Sequence, residues 1–159
     1  MLVVGAFDSS GSPTVRIRVS GDFGSRDYVA TIDTGFTGFV ALPLVEMVPL
    51  GLATQPGAAS VMLGDGTIVQ NLIAQGSVTL SGRSAGGTIL LDETSGDVLI
   101  GMAFIRAFKL ALIITETTVI LYDEDETLEA VSNFMQTAPV GLPNPSRSAS
   151  TTNREVDDE

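Results

Sequence analysis

Short apolar runs, each bounded by turn-forming residues, follow one another along the first 122 residues. The clearest run, TVRIRV at residues 14–19, alternates three apolar side chains with two arginines. Such alternation is typical of a strand with one buried face. Polar and glycine-rich sequences separate the runs, for example DSSGSP at 8–13 and GDG at 64–66. The pattern predicts a series of β-hairpins that form a closed or orthogonally packed β-barrel.

Two stretches interrupt this β pattern with helix formers. LVEMVPLGL at 44–52 predicts a helix of about two turns, because Pro49 limits its length. GDVLIGMAFIRAF at 96–108 begins as a buried strand, breaks at Gly101 and continues as a short helix. The pattern therefore predicts a mostly β domain with little helix.

The chain changes character after Tyr122. Residues 123–138 are acidic and place apolar side chains on one helical face, so they predict an acidic helical extension. Residues 139–159 are rich in proline, serine, threonine and charge, which predicts a disordered tail. The predicted organisation is a folded domain at 1–122 followed by these two segments.

The chain contains no cysteine, histidine or tryptophan. Without histidine or cysteine, Ser-His-Asp and Cys-His machinery is excluded, as is a thiolate or imidazole metal site. Carboxylates are left as the main acid–base groups, since Lys109 is the single lysine. We therefore expect no metal and no cofactor. DEDE at 123–126 lacks the glycine and spacing of an EF-hand loop and predicts a solvated start of the acidic helix.

The formal net charge is −11, and residues 123–159, with nine acids and two bases, contribute −7 of it. This charge argues against binding to nucleic acid or to anionic membrane surfaces. No apolar run is long enough to span a bilayer. The start MLVVGAF has no basic region typical of a signal peptide. With no disulfide framework, these features predict a cytoplasmic protein.

One carboxylate stands out within the β pattern. In TIDTGFTGFV at 31–40, Asp33 directly follows the apolar strand YVATI. A carboxylate there costs free energy unless it is hydrogen-bonded or serves chemistry. Two interpretations follow from the residues: Asp33 starts a turn and Gly35 supplies its backbone freedom, or Asp33 is a catalytic group at the mouth of a β-fold.

Three motifs in order decide between these interpretations: DTG at 33–35, LGDG at 63–66 and VLIG at 98–101. Together they resemble those of the single-domain retropepsin-like aspartic proteases, the clan of the retroviral proteases. The resemblance is greatest to bacterial members and to the protease-like domain of the DNA-damage-inducible proteins, and it spans residues 1–122. It implies an all-β, retropepsin-like closed β-barrel with one short helix, acting as a homodimer. The chain has one DTG and no internal repeat, so each subunit would contribute one Asp33 to a shared site.

The same resemblance implies an aspartic endopeptidase that hydrolyses peptide or protein substrates with a water activated by the two Asp33 carboxylates. LGDG would form a mobile flap over the substrate, although a plain hairpin without functional motion is an equal alternative. The residues to which it assigns roles are Asp33 as the catalytic group; Thr34 and Gly35 in the active-site loop; Phe36, Met62, Leu63, Gly64, Asp65 and Gly66 in substrate binding; and Leu99, Ile100 and Gly101 in support of the loop.

The sequence departs from the retroviral pattern at three positions. Phe36 stands where the retroviral enzymes have Ala or Ser, and it predicts either a pocket wall or a core side chain. Thr37 and Met102 replace an Asp and an Arg that would form an ion pair. Both partners are missing together, which avoids a lone buried charge. A non-catalytic dimeric β-barrel that binds peptides or holds an assembly together is the alternative function.

Overall fold

A computed structural model of the chain describes residues 1–62, 65–123 and 128–137. The strands in these ranges are β1 (Leu2–Val4), β2 (Ala6–Phe7), β3 (Pro13–Gly21), β4 (Gly24–Ile32), β5 (Val40–Pro43), β6 (Thr54–Met62), β7 (Ile68–Leu80), β8 (Arg83–Asp92), β9 (Leu99–Ile100), β10 (Leu110–Ile114) and β11 (Val119–Asp123). The helices are α1 (Met47–Leu50), which follows a 3₁₀ turn at Leu44–Glu46, α2 (Met102–Ala107) and α3 (Leu128–Thr137). The predicted all-β fold is confirmed, although the described chain has three helices and the resemblance implied one.

The strands form two sheets. The larger sheet has the order β2-β3-β4-β9-β5-β8-β7-β6, and β3 also pairs with β7. Its hydrogen-bonded pairs therefore lead from β3 through β4, β9, β5, β8 and β7 back to β3. β9 is parallel to β4 and antiparallel to β5, and β5 is parallel to β8. These contacts between strands distant in the sequence bring the ends of β4 and β9 together.

One face of the larger sheet forms the hydrophobic core. A continuous row of paired residues crosses this face, and every member is buried in the core: Ile32, Ile100, Val40, Ile89 and Ala74. Phe104 and Phe108 of the α2 region cover the core, with their ring centroids 4.6 Å apart. The row shows that β4, the strand that leads to Asp33, is held in the core by its pairing with β9.

Most predicted local elements are confirmed, and one is different. The helical segment ends at Gly51, which has a φ of 69°, two residues after Pro49. Residues 68–80, in contrast, form one strand of 13 residues, where the sequence predicts two, one that ends in NLI at 71–73 and one in AQGSVTLSG at 74–82. Gly76 lies within the paired sheet. A Cβ added to it would be 2.4 Å from Cδ1 of Ile89, so a larger residue does not fit there. This glycine makes room for a neighbour and does not form a turn.

The smaller sheet, with the order β1-β11-β10, lies within one chain. The resemblance to retropepsin-like proteases also implies that two terminal strands, KLALIIT at 109–115 and TVILY at 118–122, interleave between subunits. β11 is already paired on both edges, and Leu121 is fully buried within the single chain. Among the described residues, β1 and β10 each have one edge that is not paired with another strand, so any pairing of this sheet with a partner involves those edges.

The predicted acidic extension is helical at α3, and Val131 on it is buried. Residues 124–127 and the predicted disordered tail at 139–159 lie outside the described residues. No helix in the described part of the chain is long and apolar enough to cross a membrane.

Candidate active site

Asp33 lies immediately beyond the end of β4, in a tight loop that its own side chain stabilises. Its backbone N–H donates to the carbonyl of Ile100 at 3.0 Å, which fixes the loop to β9. Its Oδ1 accepts from the N–H groups of Gly35 at 2.9 Å and Phe36 at 3.3 Å. The side chain is partly exposed, and Oδ2 accepts no hydrogen bond from the described residues. One carboxylate oxygen of Asp33 therefore stabilises the turn, as the first interpretation predicts. The other oxygen is available to a ligand.

Thr34 and Gly35, at the tip of this loop, are exposed. The Thr34 side chain makes no hydrogen bond within the described chain. Loop tips with exposed polar side chains are common sites of function on a rigid scaffold.

The start of α2 holds the far side of the same loop. The N–H of Met102 donates to the carbonyl of Phe36 at 2.8 Å, and that of Ala103 donates to the carbonyl of Gly38 at 3.0 Å. The first N–H groups of a helix have no partner inside the helix, so these bonds also cap α2. Main-chain bonds thus join the loop to α2 at the place where the retroviral pattern has an Asp–Arg ion pair.

Gly101 lies directly beneath the loop and has no room for a side chain. A Cβ on it would be 2.4 Å from the carbonyl oxygen of Phe36 and 2.5 Å from that of Gly38. Both atoms are backbone and are fixed by α2, so they have little freedom to shift. The geometry accounts for a glycine at this position of VLIG.

Gly101→Ala should therefore disturb the loop. We expect a loss of roughly 1–3 kcal/mol in the free energy of unfolding, since the added methyl overpacks a fixed backbone. Chemical denaturation of both proteins measures this loss. Gly96→Ala is the matched control, because no heavy atom lies within 4 Å of a Cβ built there. Equal unfolding free energies for the two variants would contradict the proposed crowding.

The ring of Phe36 lies close to two glycines, Gly38 and Gly101. An added Cβ on Gly38 would be 2.4 Å from Cζ of the ring, so the ring lies over that glycine. The side chain is partly exposed and is not among the described hydrophobic residues that pack against the core. The ring therefore packs against the loop and against Gly101 at the start of α2, and its role as a pocket wall stays a prediction.

The face of the sheet opposite the core carries a second row of paired residues. It starts on β4, two residues before Asp33, and crosses β9, β5, β8 and β7 in that order: Thr31, Leu99, Ala41, Leu90 and Ile73. We call these five residues the outer row. Ala41 and Leu90 are buried although they lie outside the core cluster, so this face is sheltered.

Two residues of VLIG that the sequence analysis gave one supporting role lie on opposite faces of the sheet. Ile100 belongs to the core as predicted, but Leu99 lies on the outer row beside Thr31. The other members of the row had no assigned role. Alternation within β4 places Thr31 on the side of Asp33, but the remaining members depend on strand pairings that no local pattern reveals.

β6 and β7 form the predicted hairpin, which is paired from Ala58 opposite Leu72 to Met62 opposite Ile68. At its turn, the N–H of Thr67 donates to Oδ1 of Asp65 at 2.9 Å, and this backbone hydrogen bond holds the pKa of Asp65 below its usual range. Gly66 has a φ of 86°, which favours glycine. Leu63, Gly64 and the side chain of Met62 lie outside the described residues.

β4 is braced at the end remote from Asp33. Oε2 of Glu46 accepts from the hydroxyl of Tyr28 and from Nη1 of Arg26, each at 2.6 Å. Burial and the neighbouring Glu46 raise the pKa of Tyr28 well above its usual value, so the phenol remains a donor. These bonds tie the strand that carries Asp33 to the helical segment at 44–50.

A single chain supplies one carboxylate to this loop. In the described ranges, no other carboxylate is hydrogen-bonded to Asp33. No group of three or more Asp, Glu, His or Cys residues there is arranged to hold a metal ion. The loop therefore presents one partly free carboxylate, oriented by backbone donors.

Comparison with solved structures identifies the architecture as retropepsin-like, a fold of aspartic proteases. A retropepsin-like aspartic protease from Rickettsia conorii matches with a TM-score of 0.54 and 16% identity over 76% of this chain and 89% of that protein. EIAV protease, complexed with the inhibitor HBY-793, matches with a TM-score of 0.54 and 14% identity over 68% of this chain and 98% of that protein. No family model and no curated protein sequence matches the chain. At these identities the likeness shows the fold, and the predicted retropepsin-like fold is confirmed.

Proposed function

We propose that this protein is an aspartic endopeptidase that cleaves peptide bonds at a site shared by two identical subunits. The observation that carries the proposal is the Asp33 loop: a DTG sequence at the end of β4, with one carboxylate oxygen held by backbone donors and the other free. The loop occurs once in a chain with a retropepsin-like fold. A second copy of the chain would supply the second carboxylate.

In the proposed mechanism the two Asp33 carboxyl groups share one proton, because two carboxylates a few ångströms apart do not both ionise readily. The ionised group takes a proton from a bound water as the water oxygen attacks the scissile carbonyl carbon. The protonated group donates its proton to the carbonyl oxygen, which gives a tetrahedral diol. The diol then collapses: the C–N bond breaks, the leaving nitrogen gains a proton and one carboxyl group is left protonated for the next cycle.

The open edges of the smaller sheet support the homodimer. Neither β1 nor β10 contains a charged residue, and Val4 and Ile114 on them are exposed. Edge strands of monomeric proteins are usually protected by charges, proline or bulges. We propose that the longer edge, β10, pairs with β10 of the partner around the two-fold axis.

The surroundings of Asp33 fit a peptide. The outer row offers a mainly apolar surface that begins at Thr31. Phe36, in the same loop as Asp33, is proposed to form a wall next to the carboxylate. The β6–β7 hairpin is proposed to close over the substrate and exclude water, as mobile hairpins do in enzymes of this kind. A non-catalytic peptide-binding module would need the same cleft, but it would gain nothing from two close carboxylates.

Cleavage of a mixed peptide library across pH tests the proposed function. We expect a bell-shaped dependence of the rate on pH with its maximum at roughly pH 4–6, because the pair works while it holds one proton. Above pH 8 both carboxylates are ionised and the rate should be small. Peptide binding without cleavage at any pH would favour the non-catalytic alternative, and an optimum above pH 8 would contradict the shared proton.

A further inference from the structure

Asn71 on β7 is a nearly buried polar residue without a partner. It is 6% exposed, and its carboxamide makes no hydrogen bond with the described part of the chain. The amide atoms keep some contact with solvent, because every fully enclosed side-chain nitrogen or oxygen in the described residues has a partner. A buried amide without hydrogen bonds costs free energy, so in native proteins such groups usually have a water or a ligand.

The pairing of the strands places Asn71 on the same face as the outer row. Along β7 the residues 69, 71 and 73 are shielded, while 68, 70 and 72 are exposed. Successive side chains of a strand point to opposite faces, so Asn71 shares the face of Ile73. Ile73 is the last member of the outer row, whose first member, Thr31, lies two residues before Asp33. Asn71 thus lies at the far end of the sheltered face that starts at the catalytic loop.

We propose that the carboxamide of Asn71 binds the main chain of the substrate at the end of the cleft. This inference rests on the proposed function. An Asn side chain offers a carbonyl acceptor and an amide donor, which match the N–H and C=O of one peptide unit. A contact of this kind selects substrates by the length of their extended main chain and not by their side chains.

The strand spacing sets the length of substrate that would be recognised. The outer row crosses four steps from β4 to β7, each about 4.8 Å, so Asn71 lies at most about 20 Å across the sheet from the strand of Asp33. An extended peptide advances about 3.3 Å per residue, so Asn71 would meet it four to six residues from the scissile bond. Because the two-fold axis repeats the contact, the preferred substrates are extended segments of about eight to twelve residues.

Substitution of Asn71 with peptides of two lengths tests the inference. The probes are the twelve-residue peptide of the library that binds Asp33→Asn most tightly and the six-residue peptide from its centre. With Asn71→Leu, we expect kcat/KM for the long peptide to fall about tenfold, mainly through KM, because its main chain loses its partner. The short peptide does not reach Asn71, so its kcat/KM should stay unchanged.

The unfolding temperature distinguishes substrate binding by Asn71 from a purely structural role. Since the amide has no partner within the described chain, Asn71→Leu should leave the unfolding temperature unchanged or raise it. Gln70→Leu is the matched control: the same chemical change one residue away on the exposed face, where Gln70 donates to Ser60 at 2.7 Å. The control should keep the preference of the wild type for the long peptide.

Binding of the same two peptides to Asp33→Asn, compared with Asp33→Asn combined with Asn71→Leu, separates this inference from the proposed function. If wild-type protein cleaves nothing but the long peptide binds in an Asn71-dependent way, hydrolysis is refuted and the Asn71 contact stands. An equal loss for both peptides, or a marked fall in the unfolding temperature of Asn71→Leu, would overturn the contact. Absence of both cleavage and binding would overturn both proposals.

Discussion

Asp33→Asn should abolish peptide cleavage while the fold and the dimer persist. Asparagine keeps an Oδ1 that accepts the bonds from Gly35 and Phe36, so the loop retains its geometry. It cannot accept the proton of the attacking water, and acid–base catalysis of this kind is typically worth a factor of 10² to 10⁴. We expect a loss of about 10³-fold or more in kcat at the optimal pH, measured with the best library peptide.

Asp22→Asn is the control for this prediction. Asp22 is exposed and precedes β4 at the end remote from Asp33. Its substitution removes one carboxylate from the same chain and should leave cleavage unchanged. If Asp33→Asn kept a substantial part of the wild-type rate, the assignment of Asp33 as the catalytic group would be wrong.

Ile114→Asp should convert the protein into an inactive monomer. Ile114 is 46% exposed at the end of β10, so a single chain tolerates a charge there. In the proposed β10 pairing, this carboxylate would be placed among the apolar side chains of the interface and lose contact with water, which costs several kcal/mol. We expect sedimentation to show a monomer at micromolar concentration, with specific activity reduced at least tenfold.

Val45→Asp provides the matched control, because Val45 is 77% exposed and lies on the 3₁₀ turn, away from β10. This variant should keep both the dimer and the activity. Leu121→Asp would be a poor test, since Leu121 is fully buried within one chain and a charge there would disrupt the core of each subunit. An active Ile114→Asp dimer would place the subunit interface elsewhere.

The features that the sequence revealed were those set by local chemistry. Alternation predicted β3, the turn-forming aspartate predicted the β6–β7 hairpin, and Pro49 limited the helical segment. DTG and VLIG indicated the loop and its supporting glycine only through the resemblance to retropepsin-like proteases, because Gly101 contacts Phe36 and Gly38, which are distant from it in the sequence. The order of these motifs led to the retropepsin-like fold.

The features that the sequence did not reveal depend on pairing between distant strands. The outer row exists only because β9 lies between β4 and β5, which requires one parallel and one antiparallel neighbour. For the same reason, nothing in the local pattern distinguished Asn71 from any other polar residue of a strand. The single strand at 68–80 was not predicted, because the role of Gly76 in making room for Ile89 exists only when β8 is in place.

Mixing wild-type protein with Asp33→Asn tests the shared site most directly. Subunits are allowed to exchange at constant total concentration while the fraction of wild-type chain is varied. If each site needs two Asp33 carboxylates, activity should follow the square of that fraction, because only wild-type pairs are active, and an equal mixture should retain about one quarter of the activity. Activity that falls in direct proportion to the wild-type fraction, with about one half retained, would show that each chain carries a complete site and would contradict the account.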